Sequence, residues 1–320
     1  MNEIGGYFEL ELPESDLSML PPGVLVNSGR HALEYIIRAF KDNIQTIWLP
    51  HYTCEVVLQP MRRCGVNFKF YSINERLEIA DDIVLKEGEF LLANNYFGIK
   101  DDYISQLTRR YKNHLIVDNA QAFYCPEELG SSYIYSPRKF FGIPDGGIVS
   151  CTSKLEENLP EGFSFGRCSH LLKRIDKDAE CGYNDFRSNS LQLSDEPLTC
   201  MSKLTERLLG TIDFEWIKIK RRSNFETLHS ALASTNKLFL PNSDSYACPM
   251  VYPYMTSDSC LRKKLIDNKI FVASYWNNVL EWCNEDSIEY QLAKYILPLP
   301  IDQRYEEKEM QRILSVINQT

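Results

Sequence analysis

Three stretches of the sequence combine residue types that can do chemistry in concert. Asn27-Ser28-Gly29-Arg30 sets small residues and a guanidinium where a helix is expected to begin. Val117-Asp118-Asn119-Ala120-Gln121-Ala122 closes an apolar run with a carboxylate and an amide. Ser136-Pro137-Arg138-Lys139-Phe140-Phe141-Gly142 carries a lysine and precedes Asp145-Gly146-Gly147. A lysine held in a fixed, partly desolvated place can offer a neutral amine to a carbonyl compound. A carboxylate facing a heteroaromatic ring keeps its nitrogen protonated, so that the ring can accept electrons. Backbone N–H groups and the dipole of a helix start hold a phosphate. Lys139, Asp118 and the Ser28–Gly29 turn match these roles in order, and Gln121 can hydrogen-bond a ring hydroxyl. Singly, each has an ordinary reading: a solvated lysine, a capping aspartate, a turn. It is the combination that specifies a site.

Such a site needs elements to position it. Ser28 reads as the N-cap of an amphipathic helix running to about Lys41, with Leu33, Ile36, Ile37 and Phe40 on one face. Residues 46–50, 66–73, 90–98, 114–118, 132–136 and 146–151 read as short strands, and 53–64 and 101–112 as helices. Short apolar strands separated by helices imply a mainly parallel sheet covered by helices, whose ligands sit beyond the carboxyl ends of the strands. Residues 152–198 are polar and read as irregular, and 198–232 reads as a long helix weakened at Gly210. The last third alternates again: strand near 249–254, helix 257–268, strand 270–274, helix near 287–294, strand 295–300 and a final helix from about Glu306. The expected architecture is α/β, with a large domain over 1–215 and a smaller C-terminal α/β domain over 216–320.

Composition narrows the function classes. The 320 residues include 35 Lys and Arg against 44 Asp and Glu, a net charge of −9 that argues against a general nucleic-acid binder. A hydrophobic fraction of 44% is that of a globular chain rather than a disordered one. None of the ten cysteines forms a CxxC pair, so no metal site is expected. The opening MNEIGGYFELELPESD has no long apolar core to act as a secretory signal, and no stretch approaches the roughly 18 apolar residues of a membrane helix. A cytoplasmic protein with reduced thiols and no membrane partner is the expectation.

The three stretches together are the parts of a pyridoxal phosphate site, and the chain resembles the fold-type-I pyridoxal phosphate enzymes, specifically the DegT–StrS sugar-nucleotide aminotransferases. The resemblance runs from Ile4-Gly5-Gly6 through Ser28-Gly29, Leu49-Pro50-His51-Tyr52-Thr53, Asp118-Asn119-Ala120-Gln121-Ala122 and Lys139 with Asp145-Gly146-Gly147. It continues with Gly182-Tyr183-Asn184 and Arg187, Arg221-Arg222-x-Asn224-Phe225 and Leu297-Pro298-Leu299-Pro300. It implies that Lys139 is the Schiff-base lysine and proton shuttle, Asp118 the pyridinium partner and Gln121 the ligand of the ring oxygen. Ser28, Gly29 and Arg30 become the phosphate cradle. Asn184 is implied to reach the cofactor phosphate of the neighbouring subunit in a homodimer with shared sites. Glutamate becomes the amino donor and a nucleotide-linked keto sugar the acceptor.

Three positions depart from the family pattern. Arg30 stands where the family has threonine, and its guanidinium can bind phosphate bidentately. Cys54 stands where the family stacks an aromatic on the ring, which leaves Tyr52 or Tyr96 to stack, or the face open. Ile134 replaces a phosphate-binding serine, with Ser132 or Ser136 as substitutes. Two other readings stand beside the aminotransferase. One is a sugar dehydratase of the same family, whose lysine-free members carry histidine at the position of Lys139. The other is a catalytically retired binding or regulatory protein, for which Cys54 and Ile134 are the best support.

Overall fold

A computed structural model describes residues 4–318. Seven strands form the main sheet: β1 (Val24–Val26), β2 (Thr46–Pro50), β3 (Asn67–Tyr71), β4 (Glu89–Asn94), β5 (Leu115–Asn119), β6 (Ser132–Tyr135) and β7 (Gly147–Ser150). Their order is β1-β7-β6-β5-β4-β2-β3, parallel throughout except that β7 runs against both its neighbours. The central strands are apolar along their length because both faces are covered. Leu91, Ala93, Leu115 and Val117 enter one core, and Phe90, Leu92, Ile116 and Ile134 enter the other, as the two-residue period of a strand requires.

The second of these cores is closed by α1 (Gly29–Phe40) and α2 (Leu58–Cys64), while α3 (Asp101–Tyr111) covers the opposite face. Ser28 caps α1 as expected, its side chain accepting from the His31 amide. The helix expected over 53–64 is shorter: a 3-10 turn at Glu55–Val57 leads into α2, which places Pro60 near a helix start, where its missing N–H costs little.

The stretch 152–198, expected to be irregular, contains α4 (Ser169–Asp176) and α5 (Ala179–Asp195). Of the 17 residues of α5 only Gly182, Asn189 and Leu193 are buried, so it carries little apolar period to read. The long helix expected over 198–232 is two, α6 (Lys203–Leu209) and α7 (Phe214–Leu232), broken after Gly210 and restarted where Asp213 Oδ1 accepts from the Trp216 amide at 2.9 Å.

The smaller C-terminal unit contains β8 (Tyr252–Met255), α8 (Leu261–Asp267), α9 (Asn277–Trp282), α10 (Ile288–Tyr295), β9 (Ile296–Leu299) and α11 (Glu307–Asn318), with β8 and β9 antiparallel. Residues 270–274 are not a strand. Ile270 and Val272 are buried and their neighbours are not, which reads as alternation, but the segment pairs with no strand among the described residues. Arg221 in α7 is 2% exposed. It donates to Met250 O at 2.9 Å and Phe140 O at 3.3 Å, and its Nε to Gln303 at 3.1 Å. Gln303 Nε2 also donates to Phe140 O, at 2.8 Å. No described helix is long and apolar enough to cross a membrane.

The Gly146-Gly147 pair has two separate causes. Gly146 has φ +123°, a conformation side chains rarely adopt. A Cβ on Gly147 would lie 2.3 Å from the carbonyl carbon and oxygen of Ser28. The antiparallel β7 thus presses backbone to backbone on the residue that starts α1. Gly147→Ala should therefore cost about 3 kcal/mol in denaturant titration. Gly166→Ala, where nothing lies within 4 Å of the new atom, should be close to neutral.

Candidate active site

The strand register builds one wall of a cavity. Asn94 of β4 pairs with Asp118 of β5, which pairs with Ile134 of β6, in one row at the carboxyl edge of the sheet. All three line a cavity of about 300 Å³. Ser28, Gly29 and Arg30 bring the first turn of α1 to it, and Ser136, Arg138 and Lys139 bring the turn after β6. Thr53, Cys54, Gln121 and Asn95 join from the loops, Phe186 and Ser190 from α5, and Trp276 from the residue before α9.

Asp118 is half-buried. Its Oδ1 accepts from the Ala120 amide at 2.8 Å. Burial pushes the carboxyl above its ordinary pKa, against the opposing pull of Lys139 and of that amide. Lys139 is exposed, so the partly desolvated lysine expected from sequence is not seen. The cause is local: Lys139 ends a 3-10 turn at Pro137–Lys139, whose chain buries Pro137 and Phe140 instead.

Gln121 is 5% exposed. Its Oε1 accepts from the Phe97 amide at 2.9 Å, which fixes the amide orientation. Its Nε2 is buried in the cavity wall without a partner. Such a donor is costly unless a ligand oxygen meets it.

At the other end, His31 Nε2 lies 3.0 Å from Glu196 O and 3.3 Å from Arg63 Nη1. Its Nδ1 shares a hydrogen bond with the Ser28 hydroxyl at 2.8 Å. The Ser28 side chain is therefore spent on the cap and on His31. What α1 offers the cavity is its first turn, at Gly29 and Arg30, whose amides have no intrahelical acceptor. A Cβ on Gly29 would lie 3.2 Å from that of Ser136, so the turn after β6 packs against this helix start. The Arg30 guanidinium donates to Gln59 Oε1 at 2.9 Å and to Ser194 Oγ.

Of the residues singled out in the sequence, Ser28, Gly29, Arg30, Cys54, Asp118, Gln121, Ser136 and Lys139 meet in this cavity. Tyr52, Tyr96 and Asn184 do not line it. Tyr52 is fully buried in the aromatic core, 5.4 Å from Tyr96 and 4.8 Å from Trp276, and Tyr96 donates to Tyr52 O at 2.8 Å. Trp276 and Phe186 are the aromatics that line the cavity, and sequence reading missed Trp276 because it lies in the C-terminal third, far from any motif. Between the two candidate serines, Ser136 lines the cavity, while Ser132 is buried with its hydroxyl directed to Cys151. Cys54 occupies the wall, and burial raises its thiol pKa despite Lys139 and Arg30. Asn184 is exposed on α5. Arg138 was also missed as a lining residue, although it stands beside the lysine in sequence.

No protein-family profile matches the chain, and no curated protein does. Solved structures do. A sugar aminotransferase from Streptococcus pneumoniae, in its pyridoxamine phosphate form, superposes with a TM-score of 0.65 at 13% identity, over 93% of this chain and 87% of that one. The chain has the fold of the sugar aminotransferases. DesV of S. venezuelae, solved with a ketimine intermediate, gives 0.62 at 17% identity over 93% and 84%. A DegT DnrJ EryC1 StrS aminotransferase from Brucella abortus gives 0.62 at 14% identity over 93% and 86%. The architecture expected from sequence, a fold-type-I sheet with a smaller C-terminal α/β unit, is the one observed.

Because burial raises the Asp118 pKa in the fold, the charged carboxylate costs stability above that pKa, and the cost fades as pH falls through it. Asp118→Asn should therefore raise the melting temperature of the cofactor-free chain at pH 8. The gain should narrow toward pH 4 in thermal melts across that range.

Proposed function

We propose that the chain is a pyridoxal phosphate-dependent aminotransferase, moving an amino group from an amino-acid donor, glutamate, to a keto acceptor of the nucleotide-linked sugar class. The observation that carries this reading is that Asp118, Gln121 and Lys139 line one cavity with the first turn of α1. The unpartnered Gln121 Nε2 supports it most directly, because a ring oxygen would satisfy it. The neighbours support it too: the Streptococcus pneumoniae protein is described in pyridoxal and pyridoxamine phosphate forms, and DesI in the presence of its TDP-sugar product.

Bound there, the cofactor would supply the electron sink for the reaction. Asp118 would keep the ring nitrogen protonated. Gln121 Nε2 would donate to the ring oxygen. The amides of Gly29 and Arg30, with the Arg30 guanidinium and the Ser136 hydroxyl, would take the phosphate. Cys54, small and apolar as a thiol, would leave room at one face, with Trp276 as the aromatic wall. Lys139 Nζ would hold the aldehyde at rest and, once released, take the proton from the donor's α-carbon and later return one to the acceptor's carbon. Donor and acceptor would use the site in turn, giving ping-pong kinetics.

We take the working unit to be a cytoplasmic homodimer with shared sites, its chain divided at 1–215 and 216–320. Exposed Asn184 would then serve a neighbouring copy. Lysine rather than histidine at 139 favours transfer over the dehydratase reading.

The test is spectroscopic. Purified chain mixed with pyridoxal phosphate should develop visible absorbance that L-glutamate bleaches in a single half-turnover, and Lys139→Ala should abolish both. Absorbance without bleaching by any amino acid would instead point to a retired binding protein. Gln121→Leu, which removes the ring-oxygen donor, should weaken cofactor binding about tenfold, measured by equilibrium titration.

A further inference from the structure

Arg138 is half-buried in the wall of the cavity. Its Nε is sealed from solvent and no hydrogen bond or ion pair reaches its side chain among the described residues. The buried arginines, by contrast, are served: Arg167 by Glu196 and Phe163 O, and Arg221 by Met250 O, Phe140 O and Gln303. The nearby carboxylate of Asp145 acts on Arg138 only through its charge, because its oxygens are committed to Ser202, Thr205 and, at 3.7 Å, Arg167. Burial and the neighbouring charge of Arg30 push the Arg138 pKa down to about 10, which still leaves it a cation at neutral pH. An unpaired guanidinium at a cavity wall, its Nε sealed from water, is well placed to receive an anion.

The cavity's charge points the same way. Arg30, Arg138 and Lys139 line it against the single carboxylate of Asp118, an excess of two positive charges in a chain whose net charge is −9. A phosphate monoester carries close to two negative charges near neutral pH. Arg138 also stands in the wall between this cavity and a second one of about 700 Å³, in which Tyr183, Phe186 and Tyr305 present rings. A phosphate could thus arrive as part of the cofactor on one side or of the acceptor on the other.

We infer that Arg138 and Arg30 form a two-guanidinium grip for a phosphate-class anion beside the first turn of α1. The grip replaces a hydroxyl-based cradle with a charge-based one. The inference stands on the cavity itself; only its cofactor arm rests on the function proposed above.

The experiment is calorimetric titration of inorganic phosphate into the cofactor-free full-length chain, at low and moderate salt. The wild type should bind, more weakly as salt rises. Arg138→Met should lose about tenfold or more in affinity, and Arg138→Lys, which keeps the charge but not the fork, should fall between. Thermal melts confirm folding, and should Arg138→Met fail to fold, Arg138→Lys and Arg30→Lys decide. Absence of phosphate binding in the wild type, or unchanged affinity in the variants, overturns the inference.

Paired probes identify the source. A penalty for pyridoxal phosphate but not for pyridoxal assigns the grip to the cofactor. A penalty for thymidine diphosphate but not for thymidine assigns it to the acceptor. Equal penalties within both pairs mean that Arg138 merely shapes the cavity, and the inference is wrong. If the wild type shows no visible absorbance with pyridoxal phosphate, the aminotransferase reading fails, while the phosphate titration still judges the grip.

Discussion

Asp118 ends a strand that is covered on both faces, so little water answers its charge. The sheet offers it one fixed hydrogen bond, from the Ala120 amide, and the charge of Lys139 at a distance. Neither cancels the cost of burial. A carboxylate kept in this condition favours a cationic partner more strongly than an exposed one would, because the low-dielectric wall strengthens the attraction. The parallel order of β2, β4, β5 and β6 is what brings that carboxylate, the amides of β4's end and the turn after β6 to one edge. Helix α1 then closes the opposite end with its positive pole.

The placement of α1 is secured from behind rather than from within. Gly147 lets the antiparallel strand β7 touch the Ser28 carbonyl, Gly29 lets the turn after β6 approach the same helix start, and His31 holds the capping hydroxyl. Each contact needs a small residue or a specific acceptor. The glycines and serines that look like a ligand motif in the sequence are therefore also packing requirements. These two demands coincide at Ser28, whose hydroxyl serves the cap while the residues after it line the cavity.

Most of the sheet was legible because strands such as 46–50 and 115–119 are apolar runs of strand length with clear punctuation, and the order of their functional ends follows from a parallel topology. The core of the site was legible for a different reason: Asp118, Gln121 and Lys139 are chemically unusual together and lie close in sequence. What escaped reading was long-range or weakly periodic. Helix α5 buries few residues and shows no stripe. Residues 270–274 alternate like a strand but have no edge to join. Trp276 reaches the cavity from a part of the chain with no motif, and Arg138 was overshadowed by the lysine beside it. The burial of Arg221 depends on carbonyls of residues 140 and 250, acceptors that no side-chain pattern reveals.

That last residue ties distant parts of the molecule to one peptide. The carbonyl of Phe140, next along the chain from Lys139, receives donors from Arg221 in α7 and from Gln303 just before α11. The C-terminal third cannot tilt as a rigid body without surrendering these donors or dragging that peptide along. The mechanical lever on the amine accordingly lies not in the sheet beneath it but in α7 and the segment before α11, clamped over its back.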